Sequence, residues 1–109
     1  MKIELIAVVT TVEKVEDAQR IAKKAVESRL AACAQLDEID SIYSWKGKIE
    51  NAREIRITFK TTTKRWQELK AQIVESHPYE TPAVYTLEVA EASEPYAEWV
   101  SQNTKKPTF

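Results

Sequence analysis

The chain has 109 residues, sixteen basic and seventeen acidic, and a net charge of −1; that is one domain's length, with no basic field to hold nucleic acid non-specifically. A single cysteine excludes an internal disulfide, and a single glycine excludes the phosphate loops and dinucleotide fingerprints that need several. One histidine leaves no recognisable set of nucleophile, base and orienter, and no apolar run approaches the ~20 residues of a membrane span.

The start, MKIELIAVVT, lacks the pattern of a secretory signal. With a lone thiol, this makes the cytoplasm the expected compartment. Residues 3–9, IELIAVV, are rich in β-branched and aliphatic residues, which predicts a central strand buried on both faces. From Lys14 to Ser28, Val15, Ala18, Ala22 and Ala25 recur at spacings of three and four behind the acids Glu13, Glu16 and Asp17. That pattern predicts an amphipathic helix whose dipole the acids favour.

Residues 31–45 and 48–61 read as two arms of one hairpin turning at Lys46 and Gly47. In the second arm Ile49, Ile55, Ile57 and Phe59 share one parity, and Glu50, Glu54, Arg56, Thr58 and Lys60 share the other. A two-residue turn with Trp45 facing Lys48 pairs Ala34 with Phe59, Leu36 with Ile57, Cys33 with Lys60 and Asp37 with Arg56. Apolar then meets apolar and acid meets base, unless a bulge shifts the register.

Trp66, Leu69, Ile73 and Val74 predict a helix over 64–76, ended by the restriction Pro78 places on His77. Alternation over 83–89 predicts another strand. A short helix follows, with Ser93 as its cap, Pro95 in its first turn and Tyr96, Trp99 and Val100 on its apolar stripe. The order β-α-β-β-α-β plus a helix defines an α+β, ferredoxin-like split βαβ sandwich with a long β-hairpin and a short C-terminal helix. Residues 1–104 form the expected domain and 105–109 a loose tail.

A straight arm from Ala31 to Trp45 spans about 50 Å at ~3.3 Å per residue, whereas a domain of this size is about 34 Å across. The hairpin therefore overshoots, unless it bends strongly at residues 37–40. Its apolar tip, with Ile42, Tyr43, Trp45 and Ile49, calls for a partner subunit.

Five ordered segments, ESRLAACAQ at 27–35, SIYSWKGKIE at 41–50, Glu54 with FKT at 59–61, HPYETP at 77–82 and PYAEWV at 95–100, resemble the CutA divalent-cation-tolerance family over nearly the whole chain. The resemblance implies a homotrimer similar in architecture to the PII signalling proteins, with hairpins forming intersubunit sheets. It also implies binding of copper or another divalent metal, with no catalytic activity and no organic cofactor. Two departures stand out: Cys33 is the sole cysteine, and QLDEID at 35–40 replaces the proline-glycine common before the hairpin.

Cys33 and His77 are the candidate metal ligands, each with a plainer alternative. Cys33 also reads as a small packed hydrophobe, or as a thiolate stabilised by Lys60. His77 also reads as a polar helix terminator. Lys60, Glu54, Tyr79 and Glu80 are candidates for an intersubunit cleft or for a solvated face, with Asp37 and Arg56 available to neutralise charge. Tyr43, Trp45 and Trp99 are candidate subunit contacts. The expected protein is a non-enzymatic, cytoplasmic, metal-binding trimer without nucleic-acid or membrane partners. The alternative is a PII-like signalling or scaffold trimer recognising a small molecule or protein, with metal incidental.

Overall fold

A first strand apolar on both faces, three further strands and a helical stripe along two helices give a single sheet with its main core on one side. A computed structural model describes residues 2–106. In chain order the elements are β1 (Leu5–Val12), α1 (Val15–Glu27), β2 (Cys33–Trp45), β3 (Lys48–Thr62), α2 (Trp66–Ser76, entered through a 3-10 turn at Thr63–Arg65), β4 (Val84–Glu88) and α3 (Glu94–Gln102). The sheet is antiparallel with order β2-β3-β1-β4. Two crossovers thus place the first and last strands side by side, as the split βαβ arrangement requires.

β1 begins and ends later than its apolar run suggested, taking in Thr10, Thr11 and Val12 as it pairs with β3 from Leu5↔Thr62 to Val12↔Ile55. The 64–76 helix divides into the 3-10 turn and α2. Ser93 is the N-cap residue of α3, but its side chain makes no capping hydrogen bond.

The hairpin register is the one the side-chain pattern predicted, unbroken from Cys33↔Lys60 through Asp37↔Arg56 to Trp45↔Lys48. No bulge interrupts residues 37–40. Lys46 and Gly47 both take positive φ, 50° and 78°, the conformation of a two-residue turn whose twist matches its strands. The ribbon stretches the molecule to 47 × 31 × 20 Å.

One face of the sheet is covered. Ile6, Val8 and Val12 of β1 and Ile55, Ile57 and Phe59 of β3 pack against Ala18, Ile21, Ala22 and Ala25 of α1 and Leu69 and Ile73 of α2. The opposite face is covered at one end, where Val100 and Ala97 of α3 meet Leu5 and Ala32. Elsewhere Tyr85 and Leu87, paired with Val9 and Ala7, stay exposed. So do Ile42 at 72% and Ile49 at 75% near the hairpin tip.

α1 ends without glycine. Arg29 takes φ 62°; its N–H donates to the Val26 carbonyl, and that of Leu30 to the Ala25 carbonyl, the two bonds of a Schellman motif. Arginine is held in this left-handed conformation by its guanidinium, which donates to the carbonyls of Gln102 at 2.6 Å and Lys105 at 2.9 Å. The same residue therefore closes α1 and ties down the end of α3. Of the tail expected to be loose, residues 107–109 lie outside the described residues.

Candidate functional site

HPYETP leaves α2 in extended backbone at His77 and bends over residues 79–81. His77 is the C-cap residue, at φ −79° and ψ 136°, a backbone conformation suited to the residue before proline. Arg20 of α1 donates to the Ser76 carbonyl at 3.0 Å and to Asp17 at 3.0 Å, tying the end of α2 to the neighbouring helix. The His77 ring points inward, buried against β1. Nδ1 accepts the Tyr79 N–H at 3.1 Å; Nε2 lies 2.9 Å from the Thr11 carbonyl and 3.1 Å from the Thr10 hydroxyl.

A carbonyl only accepts, so the ring proton sits on Nε2 and the ring is neutral. Both nitrogens are engaged, and no lone pair is left for a metal in this conformation. Burial holds the imidazole pKa below its ordinary value, outweighing the Thr11 carbonyl and the charges of Asp17 and Glu54, which raise it.

Tyr79, fixed by its N–H on His77 and by edge contact of the two rings at 4.8 Å, extends its hydroxyl to Glu54 Oε2 at 2.7 Å. Burial, then the Glu54 bond, push the phenol's pKa well above its usual value. Glu54 is 5% exposed although it lies on a strand's polar parity. The Tyr79 loop closes over it. These residues and the hairpin enclose an open groove of about 780 Å³, walled by Tyr43 and Trp45 of β2, Tyr79 and Glu80 of the loop and Tyr85 of β4, with Glu54 and Glu13 at its side. At the rim, Lys46 Nζ lies 3.8 Å from Glu80 and 5.6 Å from the Trp45 ring centre.

The other candidates lie elsewhere. Cys33 is on the sheet face turned away from α1 and α2, half-buried, with Sγ 3.9 Å from the Tyr96 hydroxyl. Burial and the thiol contact raise the Tyr96 pKa. Cys33 pairs with Lys60, which pairs with Ala7, whereas His77 binds Thr10 and Thr11 further along β1. Cys33 and His77 are therefore not brought together within one subunit.

Lys60 is the cross-strand neighbour of Cys33, as the register required, but its ammonium donates to Gln35 Oε1 at 2.9 Å. It is also six residues from Glu54, roughly 20 Å along a strand, so within one subunit the two do not line the same groove. Asp37 and Arg56 form a bidentate pair at 2.7 and 3.2 Å. Trp99 stacks on Tyr96 at 5.9 Å, away from the groove. Among the described residues no group of three or more His, Cys, Asp or Glu side chains is placed to hold a metal ion.

Sequence reading missed the roles of Thr10 and Thr11 as partners of His77, and of Glu13 and Tyr85 in the groove. Thr10 and Thr11 carried one available signal, two polar residues directly after an apolar strand run. Glu13 had none, because the loop it faces is remote in sequence, and Tyr85, close after that loop, read only as one position of an alternating strand.

Fold and site together define a class: a split βαβ subunit with an overlong hairpin, an uncovered sheet face and a groove beside the HPYETP loop. A family model described as the CutA1 divalent ion tolerance protein matches residues 6–103. The divalent-cation tolerance protein CutA of Pyrococcus horikoshii is 40% identical over 102 residues, 94% of this chain and 100% of that protein. The solved structure of CutA from Synechococcus elongatus superposes with a TM-score of 0.91 at 33% identity, covering 95% of this chain and 93% of that one. That of Archaeoglobus fulgidus, named a periplasmic divalent cation tolerance protein, gives 0.90 at 29% identity, covering 93% and 99%. The chain belongs to the CutA divalent-cation tolerance family. No helix among the described residues is long and apolar enough to cross a membrane.

Proposed function

We propose that this chain acts in divalent-cation tolerance as a cytoplasmic, non-enzymatic homotrimer that binds a copper-type metal through residues of more than one subunit. The observation that carries the reading is the match of residues 6–103 to a family named for divalent ions; among the described residues no three-ligand cluster lies within one chain. A metal bound here draws its ligands from several copies. Cys33 supplies the soft donor, from a sheet face that a neighbouring subunit covers. His77 was the second sequence candidate, but it would have to exchange the Tyr79 N–H for the metal.

Native mass spectrometry of the protein titrated with copper and zinc tests this. Saturable binding at an integral number of metals per trimer, lost in Cys33→Ala and retained in His77→Ala, is the expected result. Adducts that are non-specific and alike in all three proteins would sink the metal reading. A second reading, a PII-like signalling or scaffold trimer that recognises a small molecule, is favoured by one observation: the aromatic and acidic groove of about 780 Å³ beside HPYETP.

A further inference from the structure

We infer that the groove beside HPYETP is completed by a second copy of the chain, whose Lys60 ammonium enters it and meets Glu54. The inference rests on the trimeric assembly proposed above and adds to it the pair of residues that meets across each interface.

Glu54 is 5% exposed, and its Oε2 accepts the Tyr79 hydroxyl. Among the described residues no lysine or arginine of its own subunit pairs with it. The groove it lines carries three further acids, Glu13, Asp40 and Glu80, and no basic residue. In an isolated subunit, solvent in the open groove serves this charge. A neighbour that covers Ile42, Tyr43 and Tyr85 removes the solvent, and a carboxylate so enclosed is tolerated only with a cation against it.

The same strand supplies the cation. From Glu54 to Thr62, Ile55, Ile57 and Phe59 face α1 and α2, so Glu54, Arg56, Thr58 and Lys60 face the other way. Of the two cations there, Arg56 is held by Asp37 through two bonds. Lys60 has no carboxylate partner among the described residues. Its ammonium spends one of three donors on Gln35. This face of the strand therefore carries one acid and one base without charge partners, roughly 20 Å apart and unable to meet in one subunit. A ring closed by head-to-tail contacts sets different residues of one face against each other at every interface. One contact then neutralises both charges in all three subunits. Lys46, the nearest lysine at the groove's own rim, is already engaged by Glu80 and the Trp45 ring.

Sedimentation over a dilution series tests the pair by charge reversal. Lys60→Glu sets two carboxylates together at each interface and should weaken the trimer at least about tenfold. The double variant Glu54→Lys with Lys60→Glu restores opposite charges only between subunits and should recover most of that loss. Should Glu54→Lys fail to fold, carbodiimide coupling of the wild-type trimer decides, because it joins a carboxylate to an amine in contact with it. An amide between Glu54 and Lys60 should appear in chains of doubled mass. It should vanish in Lys60→Arg, which keeps the charge and the trimer. A Lys60→Glu trimer as tight as wild type would overturn the pairing while leaving the assembly intact. So would a folded double variant no tighter than Lys60→Glu, or coupling that leaves Glu54 free or joins it to another lysine. A wild-type monomer would overturn both the pairing and the assembly beneath it.

Discussion

His77 is the most constrained side chain of the candidate site, and its constraint has a pH signature. Because burial lowers its pKa in the folded state, the unfolded chain takes up a proton first on acidification. The stability it contributes is therefore fully present above the unfolded pKa of about 6.5 and is lost as pH falls from there through the folded pKa. In urea titrations the wild type should lose more stability between neutrality and mildly acid pH than His77→Gln does. An identical pH profile for the two proteins would refute this account. At neutral pH the variant should be less stable by roughly 1–3 kcal/mol, because its side chain cannot serve Tyr79, Thr10 and Thr11 with the same geometry. At this scale the sequence identified HPYETP as both a helix exit and a cleft motif. Its hydrogen bonds were not legible, since Thr10 lies 67 residues from His77.

At the scale of elements, two connections depend on backbone in the left-handed region. Nothing lies within 4 Å of a Cβ built on Gly47, so Gly47→Ala should cost only the backbone term, about 1 kcal/mol. At Arg29 the opposite holds. Removing the side chain in Arg29→Ala keeps the strained φ and loses two hydrogen bonds to α3 and the residues after it, one of them at 2.6 Å. A loss of roughly 2–3 kcal/mol is expected by chemical denaturation. Arg29→Gly relieves the strain and should recover part of that loss. If the alanine variant were as stable as wild type, the clamp would have no energetic role. The hairpin register was legible because apolar met apolar at Ala34–Phe59 and Leu36–Ile57 and acid met base at Asp37–Arg56. The Schellman end of α1 was not, because arginine stands where glycine is usual and its justification comes from a distant helix.

On the scale of the whole molecule, exposed Ile42 and Ile49 and the uncovered Tyr85 and Leu87 make a lone subunit a poor end state. Wild-type protein should sediment as a trimer at micromolar concentration, and the pair Ile42→Lys and Ile49→Lys should shift it to monomer while leaving each subunit folded. A wild-type monomer under those conditions would refute the assembly. What the sequence by itself determined was local and periodic: four strands, the helices, the turn at Lys46 and Gly47, and the pairing of β2 with β3. Side-chain period and turn chemistry are properties of neighbouring residues, so they can be read without the fold. Only the tertiary structure decided that Cys33 and His77 stand apart, that Lys60 serves Gln35, and that Glu54 is buried under Tyr79 at the side of an aromatic groove. Those placements depend on which face each strand presents and where the loop after α2 returns, and both are settled when the sheet packs against its helices.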